Sequence, residues 1–181
     1  MQSRLPRFKL KQMRKRGPKV EFLVSSETDS KAQRTLIENK RRLSNLAEKL
    51  YDEVWPKWRE HFSVQVSFQF LEEDQMQEIN RTYREVNSPT DVLTFPLYEE
   101  NGSFKPVEGP FPMTLGDIVI CPSVIQKNAL SNGVSTTSEL ALVIFHGLLH
   151  LLAWDHDTPE KEAKMWEVQE KYRDLFLAEC K

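Results

Sequence analysis

The chain has 181 residues, of which 39% are hydrophobic and 29% are charged, and these values are typical of one globular domain. No apolar run reaches the roughly 18 residues that cross a bilayer, and no apolar segment resembling a secretory signal occurs near the N-terminus. The composition therefore argues against a membrane protein. The two cysteines lie far apart and form no CxxC motif, which favours a reducing compartment, the cytoplasm, over a disulfide-rich secreted protein.

The net charge of −2 is unevenly distributed along the chain. Residues 1–20 contain eight lysines and arginines and no acidic residue, whereas the remainder has a net charge of −10. We therefore predict a flexible basic arm over residues 1–18, followed by one catalytic domain over residues 19–181. Such an arm suits an anionic partner, above all RNA. A solubilising tail and a cleaved organellar transit peptide are the alternatives.

The first half of the chain shows alternating strand and helix patterns. Apolar and polar residues alternate at 20–24 and again at 64–70, which predicts two strands. Leucines at helical spacing predict a helix over 35–51 that ends before Pro56. A second helix is predicted after the acidic residues 72–74, which suit a helix N-terminus. Helical connections of this kind indicate that the early strands pair in parallel.

The second half is predicted to contain two more strands and three helices. The connection at 98–114 is long for a compact domain and is predicted to be a binding loop or lid. Because no helix separates the strands on either side of it, they should form an antiparallel pair. Thr136 followed by Glu139 is a capping-box signature for the next helix. The predicted elements are strands at 92–97 and 115–121, and helices at 123–130, at 140–152 and from 159 onward.

Together these elements predict an α+β fold: a small mixed four-stranded sheet covered by about five helices. The helix over 140–152 is apolar on all sides apart from two histidines and Gly147. A helix of this kind is buried in the centre of a domain. We therefore predict a central buried helix that carries the histidines.

Three of the four histidines, His146, His150 and His156, fall within eleven residues. His146 and His150 are four residues apart, so on a helix they share one face. His156 can join them only if the helix ends after His150 and the chain folds back. Burying two imidazoles in so apolar a helix is costly unless both find partners, which favours a metal site over a structural role. Three nitrogen ligands and an open fourth position are typical of catalytic zinc.

The histidine spacing equals that of the zinc-protease motif HExxHxxGxxH. Gly147 stands where that motif has its general-base glutamate, which argues against peptide hydrolysis. Ala153 stands where the motif has a glycine that turns the chain. If that position requires a positive φ, alanine costs on the order of 1 kcal/mol there. Asp155 and Asp157 are candidates for an acid or base, or for a hydrogen bond that orients a histidine ring.

Residues 146–156 read HGLLHLLAWDH, which resembles the signature HGxLHLxGYDH of the YbeY endoribonucleases. Residues 80–96 and 115–120 also agree with that family, and the resemblance extends from about residue 19 to residue 176. Within the signature, Ala153 replaces a glycine and Trp154 replaces a tyrosine.

The resemblance implies a zinc-dependent, single-strand-specific endoribonuclease that acts in rRNA maturation, at the 3′ end of 16S rRNA, and in ribosome quality control. It implies one Zn²⁺ per chain, bound by His146, His150 and His156, and it assigns catalytic roles to Arg84 and His146. The implied partners are single-stranded rRNA and the ribosome or its small-subunit proteins.

Because the residues after position 20 carry a net charge of −10, RNA binding requires a local basic cleft. Arg81 and Arg84 are the candidate RNA-binding residues of that cleft. Spacing alone allows Arg84 to be merely half of a surface salt bridge. Two other functions stay open: a metallohydrolase of another substrate such as peptides, and a non-enzymatic, metal-containing ribosome assembly factor.

Overall fold

The computed structural model describes residues 18–26 and 29–178. The predicted basic arm, apart from Pro18, lies outside these residues, and the predicted domain boundary stays a prediction. Within the described part of the chain, six α-helices accompany a four-stranded mixed sheet and a small hairpin, so the α+β prediction is confirmed. None of the helices in this part of the chain is both long and apolar enough to span a membrane.

The strands are β1 (Val20–Ser26), β2 (Ser63–Phe70), β3 (Val92–Pro96), β4 (Glu99–Glu100), β5 (Ser103–Phe104) and β6 (Pro112–Ile120). The four-stranded sheet has the strand order β1-β2-β6-β3. Strands β1, β2 and β6 are parallel, and β3 runs antiparallel to β6. The parallel pairing of the early strands and the antiparallel pairing across residues 98–114 are thus confirmed.

The predicted helix over 35–51 is in fact two helices that meet at Asn39. The side-chain amide of Asn39 donates to the carbonyl of Thr35 at 2.9 Å. Asparagine competes in this way with the backbone ladder of a helix, and the leucine spacing continues across the break without marking it. The helices are α1 (Lys31–Glu38), α2 (Lys40–Val54), α3 (Glu73–Arg84), α4 (Pro122–Asn132), α5 (Thr136–His150) and α6 (Pro159–Ala178).

The connection at 98–114 is more ordered than the predicted loop. Strands β4 and β5 form a hairpin across Asn101 and Gly102, both with positive φ, and β6 already begins at Pro112. An Asn-Gly pair is a strong hairpin signal that the loop prediction overlooked. The capping box predicted from Thr136 and Glu139 is wrong: the N-cap of α5 is Ser135, whose hydroxyl accepts from the Ser138 amide at 3.1 Å.

Helix α5 is buried along most of its length and contacts both β3 and β6. Gly147 is the point of close approach, since a Cβ there would lie 2.9 Å from the Cδ1 of Ile118 on β6. On β6 itself, Gly116 has φ 147°, and a Cβ there would overlap the carbonyl oxygen of Phe95 on β3. These two glycines hold α5 close to the sheet and place its C-terminal end beside β3.

Candidate metal centre

Helix α5 ends at His150, and the chain then reverses at Ala153. Ala153 has φ 56°, and the Trp154 amide donates to the Leu149 carbonyl at 3.2 Å while the Ala153 amide donates to the His150 carbonyl at 3.0 Å. This is the bonding of a Schellman motif, whose left-handed position usually holds glycine. The positive φ that the sequence left as a condition is therefore present at Ala153, and the turn brings His156 back toward the helix.

The turn brings the three histidines together. Nε2 of His150 lies 3.0 Å from Nε2 of His146. The ring of His156 lies 5.7 Å from that of His146 and 5.4 Å from that of His150, centre to centre. One ring nitrogen from each residue can be chosen so that all three lie within 4.8 Å of one another. Ligands of a tetrahedral zinc, with bonds of about 2.0–2.1 Å, are separated by about 3.4 Å, so the donor set fits one ion.

Burial keeps the two helical histidines in the form that binds metal. Burial lowers the pKa of His150 to about 4, and the neighbouring His146 and His156 shift it in the same direction. Burial also lowers the pKa of His146, against an opposing hydrogen bond from Gln169. Metal ions bind the neutral imidazole. Both side chains are therefore ready to coordinate at neutral pH without first losing a proton.

Gln169 on α6 orients the ring of His146. Its Oε1 lies 2.8 Å from His146 Nδ1, and the residue is only 2% exposed. Because an amide oxygen only accepts, Nδ1 carries the proton and Nε2 is left free for an ion. The sequence interpretation missed Gln169. It could have been found as the one polar residue within the stripe of inward-facing positions formed by Met165, Val168 and Tyr172.

The two aspartates proposed for this orienting role are engaged elsewhere. Asp155 Oδ1 accepts from the backbone amide of His156 at 2.8 Å, and Asp157 pairs with Lys161 at 2.7 Å. Over residues 18–26 and 29–178, no carboxylate is hydrogen-bonded to a ring of the three histidines. An acid or base role for Asp155 or Asp157 stays a prediction.

The three histidines lie in a cleft of about 620 Å³ that Arg84 also lines. Arg84 is the last residue of α3, which ends because Glu85 adopts φ 60°. The segment that follows α3 is tied back to it by Asn80, whose side-chain amide donates to the Ser88 carbonyl at 2.8 Å. Asp91 also lines the cleft, and its Oδ1 accepts from the Val92 amide at 2.8 Å.

The two candidate arginines differ in their surroundings. Arg81 pairs with Glu78 at 2.6 Å and is not among the residues that line the cleft. Arg84 is exposed and, in the part of the chain that the structure describes, has no ion-pair partner. The alternative in which Arg84 is half of a surface salt bridge therefore finds no support.

Comparison with known proteins identifies the family. The family model described as endoribonuclease YbeY matches residues 27–176. The chain belongs to the YbeY endoribonuclease family. The predicted enzyme class, an endoribonuclease, is thereby confirmed at the level of the family.

Similar YbeY proteins come from several bacteria. The endoribonuclease YbeY of Salinispora tropica is 42% identical over 59% of this chain and 70% of its own length. The protein from Staphylococcus saprophyticus is 39% identical over 62% of this chain and 72% of its own length. The protein from Bifidobacterium adolescentis is 36% identical over 69% of this chain and 69% of its own length. A solution structure of a Thermotoga maritima protein is 28% identical and has a TM-score of 0.56, covering 86% of this chain and 87% of that one.

In this YbeY chain, position 147, where the zinc-protease motif has its general base, cannot supply a base to the metal centre. A side chain at Gly147 would start against Ile118 in the core, so a glutamate there would have to displace the packing of α5 on the sheet. The cleft instead combines three imidazole nitrogens with the guanidinium of Arg84. Guanidinium groups bind phosphate with paired hydrogen bonds, so this combination suits a phosphodiester better than a peptide.

Proposed function

We propose that the chain hydrolyses single-stranded RNA at one Zn²⁺ ion bound by His146, His150 and His156. The observation that carries the proposal is that three imidazoles share one cleft with Arg84, which has no ion-pair partner within residues 18–26 and 29–178. Three nitrogen donors suit zinc, although cobalt, nickel and copper accept the same ligands. When bound, zinc supplies a Lewis acid and lowers the pKa of a coordinated water to about 7, which removes the need for a carboxylate base.

The protein groups have separate tasks in this proposal. The guanidinium of Arg84 binds the scissile phosphate and stabilises the negative charge that develops on it in the transition state. His146 is held in the correct tautomer by Gln169. Arg81 contacts the RNA backbone outside the cleft. Its exposed pair with Glu78 is no obstacle, because such pairs contribute only about 0–1 kcal/mol and exchange readily.

We further propose that the substrate is rRNA, matured at the 3′ end of 16S rRNA, and that the enzyme acts in ribosome quality control. Its partners would then be the ribosome or small-subunit proteins, and its compartment the cytoplasm. The support for this role is the family resemblance and the low cysteine content. The basic segment at the N-terminus would add sequence-independent affinity for RNA.

Cleavage of a fluorescent single-stranded RNA tests the proposal. We expect His146→Ala and Arg84→Glu to lower kcat/KM by about 100-fold or more, the usual effect of removing a group that stabilises transition-state charge. Arg41→Glu is the matched control, because Arg41 is also exposed but does not line the cleft, and it should cleave like the wild type. Treatment with a chelator should abolish cleavage, and added Zn²⁺ should restore it.

Three results would contradict the proposal. Equal cleavage by all variants would indicate a contaminating nuclease. Hydrolysis of casein that depends on His150 would support a peptidase instead. A fourth protein ligand that closes the metal shell would support a structural metal in an assembly factor.

A further inference from the structure

We propose that Trp154, Lys164 and the β4–β5 turn form a second nucleotide subsite beside the metal centre. In this Trp154 subsite, a base one or more nucleotides away from the scissile bond stacks on the indole, and Lys164 contacts a neighbouring phosphate. The proposal rests on the proposed function and specifies how the same enzyme holds a longer single strand.

A second cavity of about 450 Å³ adjoins the metal cleft. The two share Gly102, Ala153, Trp154 and Asp155 as lining residues, so they form one groove that runs from Arg84 past the histidines to Lys164. The second cavity lies within the usual range of ligand sites, about 300–1,000 Å³. An RNA strand whose phosphate lies at the metal can therefore continue into it.

Trp154 is fixed in the turn that builds the metal centre. It follows the left-handed Ala153 directly, and its half-buried ring also packs against the main hydrophobic core. The Nζ of Lys164 lies 5.0 Å from the centre of its ring. Proteins that bind single-stranded nucleic acid combine an aromatic face for stacking with a nearby positive charge for the backbone, and this pair provides both groups.

Charge distinguishes Lys164 from the other lysine in the groove. Lys161 pairs with Asp157, an exposed pair worth about 0–1 kcal/mol that a phosphate would have to replace. Lys164 has no carboxylate partner among the residues the structure describes, and its ammonium lies over the Trp154 ring. When a base stacks on that ring, the ammonium would move from the ring face to the neighbouring phosphate. The exposed Asn101 at the hairpin tip also lines this cavity, and its amide can hydrogen-bond a base edge.

Steady-state cleavage by the zinc-loaded full chain tests the subsite. We expect Trp154→Leu, which keeps apolar bulk but removes the aromatic face, to raise KM for an octanucleotide by about 5–100-fold, the usual effect of losing one stacked base. Trp154→Phe should restore KM to within a few-fold of wild type. For a trinucleotide too short to fill both cavities, the difference in KM between Trp154→Leu and the wild type should be smaller than for the octanucleotide.

Lys164→Ala tests the phosphate contact through its salt dependence. Removing one contact to a single strand should reduce the slope of log KM against log salt by about 0.7, whereas Trp154→Leu should leave this slope unchanged. Trp166→Leu and Lys49→Ala are the matched controls. Trp166 is 45% exposed and lies about 200° around α6 from Lys164, and Lys49 is exposed on α2.

The outcomes separate the subsite from the proposed function. If the wild type cleaves RNA and both Trp154→Leu and Lys164→Ala match it in KM and salt slope, the subsite is wrong and the nuclease proposal stands. If the two control variants raise KM for the octanucleotide as much as the subsite variants do, the subsite proposal is also wrong. If the wild type neither cleaves nor binds RNA, both proposals fail.

Discussion

Gln169→Leu is the most direct test of how the metal centre is held. The substitution keeps the side-chain volume but removes the oxygen that lies 2.8 Å from His146 Nδ1. Because position 169 is only 2% exposed, water cannot readily replace that oxygen, and the Nδ1 proton would be buried without a partner, at a cost of about 1–3 kcal/mol. The ring can avoid this cost by moving its proton to Nε2, the atom needed for the metal.

We therefore expect Gln169→Leu to weaken Zn²⁺ binding by about 10–100-fold, as is usual when a partner of a ligating histidine is lost. This corresponds to about 1.4–2.7 kcal/mol. The assay is competition for zinc between the metal-free protein and a chromophoric chelator at pH 7.5. Gln169→Glu is the matched control, since a carboxylate still accepts from Nδ1 and should retain zinc affinity. Wild-type affinity in Gln169→Leu, with Gln169→Glu also unchanged, would refute the orienting role.

Three further predictions concern the backbone and the pH dependence. Ala153→Gly should relieve the strain at φ 56° and raise stability by about 0.5–1 kcal/mol, seen as a Tm higher by about 1–4 °C; an unchanged or lower Tm would contradict this. Gly116→Ala should abolish β3–β6 pairing, because its Cβ would overlap the Phe95 carbonyl, and native-like circular dichroism at 25 °C would argue otherwise. Because the pKa of His150 is lowered to about 4 in the folded protein, from about 6.5 when unfolded, the unfolded chain binds more protons between these values. The metal-free protein should therefore lose up to about 3 kcal/mol as the pH falls from 6.5 to 4. Urea unfolding should show this loss, and His150→Gln should reduce it.

Much of the fold was predictable because its signals are local. The alternation at 64–70 corresponds to β2, and the direct connection between two strands corresponds to the antiparallel pair β3–β6. The errors were local as well. Asn39 interrupts a helix whose leucine spacing runs on, and Asn101-Gly102 turns a predicted loop into a hairpin. In both cases a single side chain or dihedral angle overrides a pattern averaged over many residues.

The sequence by itself determined that His146 and His150 share a helix face, that the helix must end before His156 if all three histidines bind one ion, and that Ala153 is strained if its φ is positive. These features follow from helix geometry and from bonds within eleven residues, so no distant contact is needed to specify them. They were sufficient to predict a metal centre.

Only the tertiary structure decided which groups surround that centre. Gln169 lies 23 residues from His146 and reaches it only because α6 packs against α5. Arg84 enters the cleft because α3 ends there, and Gly147 meets Ile118 because α5 lies close against the sheet. Periodicity reports which face of an element is buried, but not which other element covers it. The partner of His146 and the presence of Arg84 in the cleft therefore depended on packing between segments far apart in the chain.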